Sequence, residues 1–301
     1  MDSTRKVPIT LLPPGETMGK ENQSRIVEVY GNIPRHQHIA ELIRKRSTNK
    51  DDIRDVALEE INFKAISSIL DLGCGFGFFT EALAGKISPR TTITGVDLIP
   101  GHEPLFLQAC RHAGVQGHFI PGHASLIATF EDRSYDLVVC SYALYFFPEI
   151  VPHIARILKP GGLFVTITHD SRNMGDLFEC IKKIMDRHYA RKKFLLPVEK
   201  VIRQFSAENG AAVLRSWFGQ VDTIDYPNTL VYPLSDLHEI IDYFHFKSPF
   251  FLVGTQIEKA DIVDHLPELL RQHSPHKNGV VISKNDRIFI CAEPKANMEE
   301  P

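Results

Sequence analysis

Apolar residues recur along this chain in two alternating rhythms. Over 24–46, SRIVEVYGNIPRHQHIAELIRKR, they return every three or four positions, which predicts a helix broken at Gly31 and Pro34. A second helix is expected over 51–62. SSILDLG at 67–73 reads as a compact apolar strand, and GFFTEALAGK at 77–86 begins a helix that closes near Gly85. TTITGVDL (91–98) reads as a second strand, EPLFLQACRHAG (103–114) as a helix, and VQGHFIPG (115–122) as a third, weaker strand. YDLVVCSYAL (135–144) is apolar almost without interruption, which suits a parallel strand buried on both faces. PEIVPHIARILKPGG (148–162) reads as a helix stopped by Pro160 and Gly161, and LFVTITH (163–169) as a fifth strand. Alternation at this pace predicts an α/β fold, a doubly wound sheet with helices on both faces.

After residue 170 the rhythm changes. Residues 171–218 read as mostly helical, VDTIDYPNTLVY (221–232) as one strand, and two helices are expected near 235–246 and 256–272. GVVISKNDRIFICAEP (279–294) reads as a hairpin-like pair turning at Lys284 and Asn285. The expected organisation is a tail and helical cap over 1–64, a sheet core over 65–170, a helical insertion over 171–218, and a C-terminal part over 219–297 that completes the sheet. Composition adds little: 43% of the 301 residues are hydrophobic and 24% charged, and the net charge of −3 gives no global attraction to nucleic acid or anionic membrane. Five scattered cysteines without a CxxC pair point to a reduced, cytoplasmic setting, and no metal is expected, since the fourteen histidines form no HExxH.

The candidate chemistry begins in DLGCGFG, residues 71–77. Gly73, Gly75 and Gly77 stand on alternate positions directly after the first strand, where ligands of such sheets bind. A dinucleotide site needs G-x-G-x-x-G, and counting from Gly73 or from Gly75 the third glycine is replaced by Phe78 or Thr80. A P-loop needs Gly-Lys-Ser/Thr, also missing. The remaining pattern, Asp71-x-Gly73-x-Gly75-x-Gly77, resembles the first motif of class I S-adenosylmethionine (SAM) dependent methyltransferases. That resemblance is strong over 66–170. Asp97 stands at the end of the second strand, the position of the family's ribose-binding acid. His123 and Ala124 in PGHASL stand where the family has Gly-Asp-Ala facing the adenine, with Ser125 adjoining, and ALYFFPEIVPHIARILKPGG matches the fourth-strand end, helix and Leu-Lys-Pro-Gly-Gly turn.

The resemblance implies a seven-stranded sheet of order 3-2-1-4-5-7-6 with an antiparallel seventh strand. It implies SAM as cofactor, becoming S-adenosylhomocysteine (SAH), and a cofactor site formed by Asp71, Gly73, Cys74, Gly75, Gly77, Asp97, Leu98, His123, Ala124 and Ser141. Asp71 is expected to accept from the cofactor's ammonium, directly or through water, and His123 to accept from the adenine amino group. Tyr145, among the aromatic residues after the fourth strand, and His169, at the end of the fifth, are the candidate catalytic residues. An unperturbed His169 would act as a base titrating near pH 6.5.

The acceptor is expected to be a small molecule. A basic stretch, Lys182, Lys183, Arg187, Arg191, Lys192, Lys193, Lys200 and Arg203, leaves an RNA substrate open. A SAM-binding sensor or scaffold without transferase activity is the reading from another class. No apolar run reaches the roughly 20 residues of a membrane span.

Overall fold

The computed structural model describes residues 20–189, 195–255, 257–273 and 279–295. The helices are α1 Lys20–Tyr30, α2 Ile33–Arg46, α3 Ile53–Leu58, α4 Phe78–Glu81, α5 Glu103–His112, α6 Val151–Ile157, α7 Gly175–Tyr189, α8 Pro197–Ile202, α9 Gly210–Arg215, α10 His238–Phe251 and α11 Lys259–His273. The strands are β1 Ser68–Leu72, β2 Thr92–Asp97, β3 Gln116–Pro121, β4 Tyr135–Ser141, β5 Leu158–His169, β6 Phe218–Tyr226, β7 Thr229–Tyr232, β8 Val280–Ser283 and β9 Asp286–Pro294.

Seven strands form one sheet in the order β3-β2-β1-β4-β5-β9-β6, parallel through β5 and antiparallel at β9. This is the arrangement that the motif resemblance implies. Period-two alternation supplies two faces. Ile69, Ile93, Leu137, Val139 and Val165 meet Phe79, Phe106 and Cys110 on one side, where α3, α4 and α5 lie. Leu70, Leu72, Val138, Cys140 and Phe164 meet Ile154, Phe205 and Leu214 on the other, where α6 and α9 lie.

Several expected elements differ in extent. The helix of 51–62 covers only Ile53–Leu58, and the helix expected over 77–86 is a single turn, Phe78–Glu81, followed by turns. The helix before the fifth strand stops at Ile157, and Leu158–Gly162 already belongs to β5. Residues 221–232 form two strands, β6 and β7, parted at Pro227, which has no N–H for a ladder. The pair expected over 279–294 is not a hairpin. β8 pairs with β7 in a separate two-stranded ribbon, whereas β9 enters the main sheet between β5 and β6.

A third core forms away from the sheet. Leu177, Ile181, Ile184 and Met185 on α7 pack with Ile39 and Leu42 of α2, with α10 and α11, and with Leu230 and Ile282 of the ribbon. An ion-pair cluster ties α2 to the start of α10: Arg46 Nε donates to Glu239 Oε2 at 2.6 Å and Nη2 donates to Oε1 at 2.9 Å, while Lys45 donates to Oε1 at 2.9 Å. No helix among the described residues is long and apolar enough to cross a membrane.

Candidate functional site

Between the sheet and this third core lies a cavity of ≈790 Å³, within the range of ligand pockets. Its floor is the carboxyl ends of β1, β2, β4 and β5, and α2 and α10 contribute its roof.

The glycine loop forms one end. Gly73, Gly75 and Gly77 have φ of +66°, +51° and +86°, the left-handed region that glycine adopts at little cost. A β-carbon on Gly73 would stand 2.7 Å from Ala143 Cβ, and one on Gly77 2.5 Å from Ala109 Cβ on α5. Those two glycines allow protein to pack closely on protein. A β-carbon on Gly75 would meet nothing within 4 Å, because that position faces the cavity. The Gly75 N–H donates to Asp97 Oδ2 at 2.8 Å, which docks the loop on β2. Asp97 Oδ1 accepts from Ile99 N at 2.9 Å and lies 3.1 Å from His102 Nδ1. One acceptor position on Oδ2 remains for a ligand hydroxyl.

Of the residues expected to hold the cofactor, Gly73, Cys74, Gly75, Gly77, Asp97, Leu98, His123, Ala124 and Ser141 line the cavity. Asp71 does not. It is buried behind the loop and accepts from Thr80 Oγ1 at 2.7 Å. Burial pushes its carboxyl up to about 7, against the Thr80 hydrogen bond, and the Asp97 charge adds to the rise. A carboxyl so placed braces the loop on α4 and presents no surface to the cavity for direct contact. His123 also differs from expectation. Its Nδ1 accepts from the Ser125 N–H at 3.2 Å, so Nε2 carries the proton. His123 is therefore a donor suited to a ring nitrogen, and the Ser125 N–H is already in use.

At the other end, antiparallel register sets His169 directly opposite Asp286. His169 Nδ1 donates to Asp286 Oδ1 at 2.7 Å, leaving the Nε2 lone pair free of that bond. Asp286 also accepts from Tyr142 Oη at 2.8 Å and from Lys284 Nζ at 2.9 and 2.7 Å. Lys284 lies in the two-residue link between β8 and β9, which delivers its ammonium to the carboxylate at the start of β9. The His169 ring stacks on Tyr142 and Tyr145, with centroids at 4.8 and 5.7 Å. Burial lowers the His169 pKa to about 4, with Lys284 adding to the fall and Asp286 opposing it. The titration near 6.5 expected for a solvated strand end is thus displaced. Asp286 itself is held below the usual carboxylate range: burial raises its pKa, but Lys284, His169 and their hydrogen bonds outweigh it.

Sequence reasoning missed Asp286, Lys284, His36, His102, Asn173 and Lys247, all on the cavity wall. The signal for Lys284 and Asp286 was their spacing in SKND, obscured by reading a turn there. Five buried polar atoms have no hydrogen-bond partner among the described residues: His36 Nδ1, His102 Nε2, His123 Nε2, Ser141 Oγ and Asn173 Oδ1. All five belong to residues of this one wall. Of the basic stretch, Arg191, Lys192 and Lys193 lie outside the described residues, and Lys182 is paired with Glu179 and Glu199 at 2.8 and 3.0 Å.

Residues 69–162 match the family model described as a methyltransferase domain. Curated relatives include a demethylmenaquinone methyltransferase of Staphylococcus haemolyticus, 25% identical over 58% of this chain and 68% of that protein. A ubiquinone biosynthesis O-methyltransferase of Klebsiella pneumoniae is 34% identical over 35% of this chain and 44% of that protein. An uncharacterized methyltransferase of Schizosaccharomyces pombe is 27% identical over 42% of this chain and 50% of that protein. The chain thus spans roughly half the length of the curated relatives it matches. Among solved structures, the YcgJ protein of Bacillus subtilis aligns with a TM-score of 0.52 at 17% identity, covering 81% of this chain and 98% of that one. The [4+2]-cyclase SpnF aligns with a TM-score of 0.54 at 14% identity, covering 93% and 98%. Likeness at this identity concerns the fold alone, and a cyclase on the same fold illustrates that a fold does not fix a reaction.

Proposed function

We propose that this chain, whose residues 69–162 match a methyltransferase domain, is a class I SAM-dependent methyltransferase that transfers a methyl group from SAM to a small molecule held between the sheet and the cap. The observation that carries this reading is the set of five unpartnered buried polar atoms on the wall of one cavity. Each such atom costs free energy unless a ligand or water satisfies it. The cradle at Gly75, which any β-carbon would narrow, fits the same group.

When bound, SAM supplies a methyl group on positively charged sulfur, which leaves as a neutral thioether when an acceptor lone pair attacks in line. The chain's own residues bind, orient and exclude water. Asp97 Oδ2 takes a ribose hydroxyl, and His123 Nε2–H meets an adenine ring nitrogen. The Gly75 turn gives the methionyl part room to lie against the backbone. Tyr142 and Tyr145 line the cavity beside His169, where their rings limit water near the reacting atoms. Alignment of this kind supplies several kcal/mol of barrier lowering. Asp286 fixes the His169 tautomer so that Nε2 receives a hydrogen bond from the acceptor's O–H or N–H. With a pKa of about 4, His169 is a weak base. It takes the proton from an acidic group, or as the acceptor atom gains positive character during transfer.

A concave cavity of ≈790 Å³, the size of a small-molecule pocket, favours a small acceptor over RNA. Calorimetry of one sample with SAH and with NAD tests the cofactor. SAH is expected to bind and NAD not to; binding of NAD without SAH overturns the assignment.

A further inference from the structure

Beyond the ends of β4 and β5 the cavity wall becomes aromatic. The Phe146 centroid lies 4.8 Å from Tyr145, 6.4 Å from Tyr30 and 5.8 Å from Phe250. Lys247 enters this group from α10. Its Nζ stands 4.3 Å from the Tyr30 ring centroid, 5.2 Å from that of Phe246 and 5.9 Å from that of Phe250, and it donates to the Tyr30 hydroxyl. No carboxylate among the described residues forms an ion pair with it, whereas Lys284 on the same wall is bound by Asp286 and Arg54 by Asp52. A half-buried ammonium among rings recovers part of its hydration through the ring faces, but it lacks the anion that buried charges ordinarily have. A second, independent group aims into this wall: Asn173 is 3% exposed, and its Oδ1 meets no donor among the described residues. The positive field of Lys247 reaches His169 and His36 and lowers the pKa of both, secondary to burial.

We propose that the methyl acceptor is a flat aromatic or conjugated small molecule bearing an anionic group, which pairs with Lys247 while its ring lies beside Tyr30, Tyr145, Phe146 and Phe246 on the cavity wall. The proposal rests on the methyltransferase reading above and deepens it. Flat rings stack on such walls with little loss of their own conformational freedom. Asn173 Oδ1 then accepts from a second polar hydrogen of the same molecule.

Matched pairs of probes decide the matter: benzoate and benzamide, cinnamate and cinnamamide, indole-3-acetate and indole-3-acetamide. Each is titrated into the full chain with and without saturating SAH. In at least one pair the carboxylate is expected to bind ten-fold or more tightly than its neutral amide. In Lys247→Met that preference falls to within three-fold while SAH affinity stays unchanged, and Lys247→Arg keeps the preference. The proposal is overturned if no pair prefers the carboxylate, or if the preference survives in Lys247→Met. It is also overturned if Lys247→Met loses SAH affinity and leaves the preference intact, which assigns the ammonium to the cofactor's carboxylate. Failure of SAH itself to bind overturns the preceding reading instead, and the titrations without SAH still decide this one.

Discussion

Adding a single β-carbon at each of the three loop glycines separates binding from folding. All three residues have positive φ, so alanine costs about 1–2 kcal/mol of backbone strain at each. At Gly75 that is the whole cost to folding, because the new methyl meets nothing within 4 Å. At Gly77 the methyl falls 2.5 Å from Ala109 Cβ and 3.4 Å from the Phe106 backbone, so overpacking adds about 1–3 kcal/mol. Denaturant titration should therefore rank Gly77→Ala clearly below Gly75→Ala in stability, with a total loss of about 2–5 against about 1–2 kcal/mol. SAH affinity should follow the opposite rule. Gly75→Val fills the space above the turn, and calorimetry should register a loss of at least about 100-fold, or roughly 2.7 kcal/mol. If Gly75→Val binds SAH as the wild type does, the cradle has been misplaced. If Gly75→Ala is as unstable as Gly77→Ala, the packing argument is wrong.

Replacing His169 by alanine should lower turnover by about 100-fold and leave SAH affinity intact; wild-type turnover should stay flat from about pH 6 to 8, and a titration near 6.5 would refute the buried, neutral imidazole. His169 also makes stability pH-dependent: it is neutral when folded down to about pH 4 but protonated when unfolded below about 6.5. The unfolded state therefore holds the extra proton across that window, and stability falls as pH drops from about 6.5 to 4. Asp71, held up to about 7, acts in the opposite sense over much of the same range, so the informative quantity is the difference between wild type and His169→Asn. Urea unfolding at several pH values should show that difference shrinking toward acid, and a constant difference would remove His169 as its source. Arg46→Met should cost about 3 kcal/mol because it breaks a bidentate pair whose side chains are 9% and 8% exposed, and adding Glu239→Met should restore part of the loss. A single-mutant loss below about 0.5 kcal/mol would mean that the clamp holds nothing. Filter binding at low salt should detect no RNA, since Lys182 is already paired; binding that weakens steeply with salt would revive a polynucleotide acceptor.

The strands and the glycine loop were legible because their signals are local. A buried parallel strand needs an apolar run, and a left-handed turn needs glycine, whatever the rest of the chain does. The weaker boundaries followed from competition: Lys159–Gly162 looks like a helix stop, and it is an irregular stretch of β5, with Gly161 at φ +78°, that bulges between Leu158, paired with Tyr135, and Leu163, paired with Leu137. The His169–Asp286 pair was not legible, because 117 positions separate its members and only strand register brings them together. The same holds for His36, whose ring stacks 5.7 Å from Phe246 across the cap, and for Lys247, which reads in sequence as a solvated charge in an apolar stretch. Asp71 was ambiguous in sequence for a physical reason. A carboxylate before a glycine turn can face the ligand or brace the turn, and Thr80 at the start of the next helix decides for bracing here.

That division between local and long-range signals follows from how the chain is threaded. The excursion between β7 and β8 carries α10 and α11 away from the sheet and returns the chain to insert β9 between β5 and β6. One connection therefore delivers both Lys247 to the roof and, at its return, Lys284 and Asp286 to the floor. The glycine loop and Asp97 belong to the sheet and its own two cores, whereas Lys247 and much of the aromatic wall belong to the third. Changes to the third core can then retune which acceptor fits while the sheet continues to hold the cofactor. His36 of α2 reaches from the cap to the glycine loop, with its ring 5.0 Å from Phe76. Substituting it should weaken SAH binding and acceptor binding together, whereas Lys247→Met should change only the second.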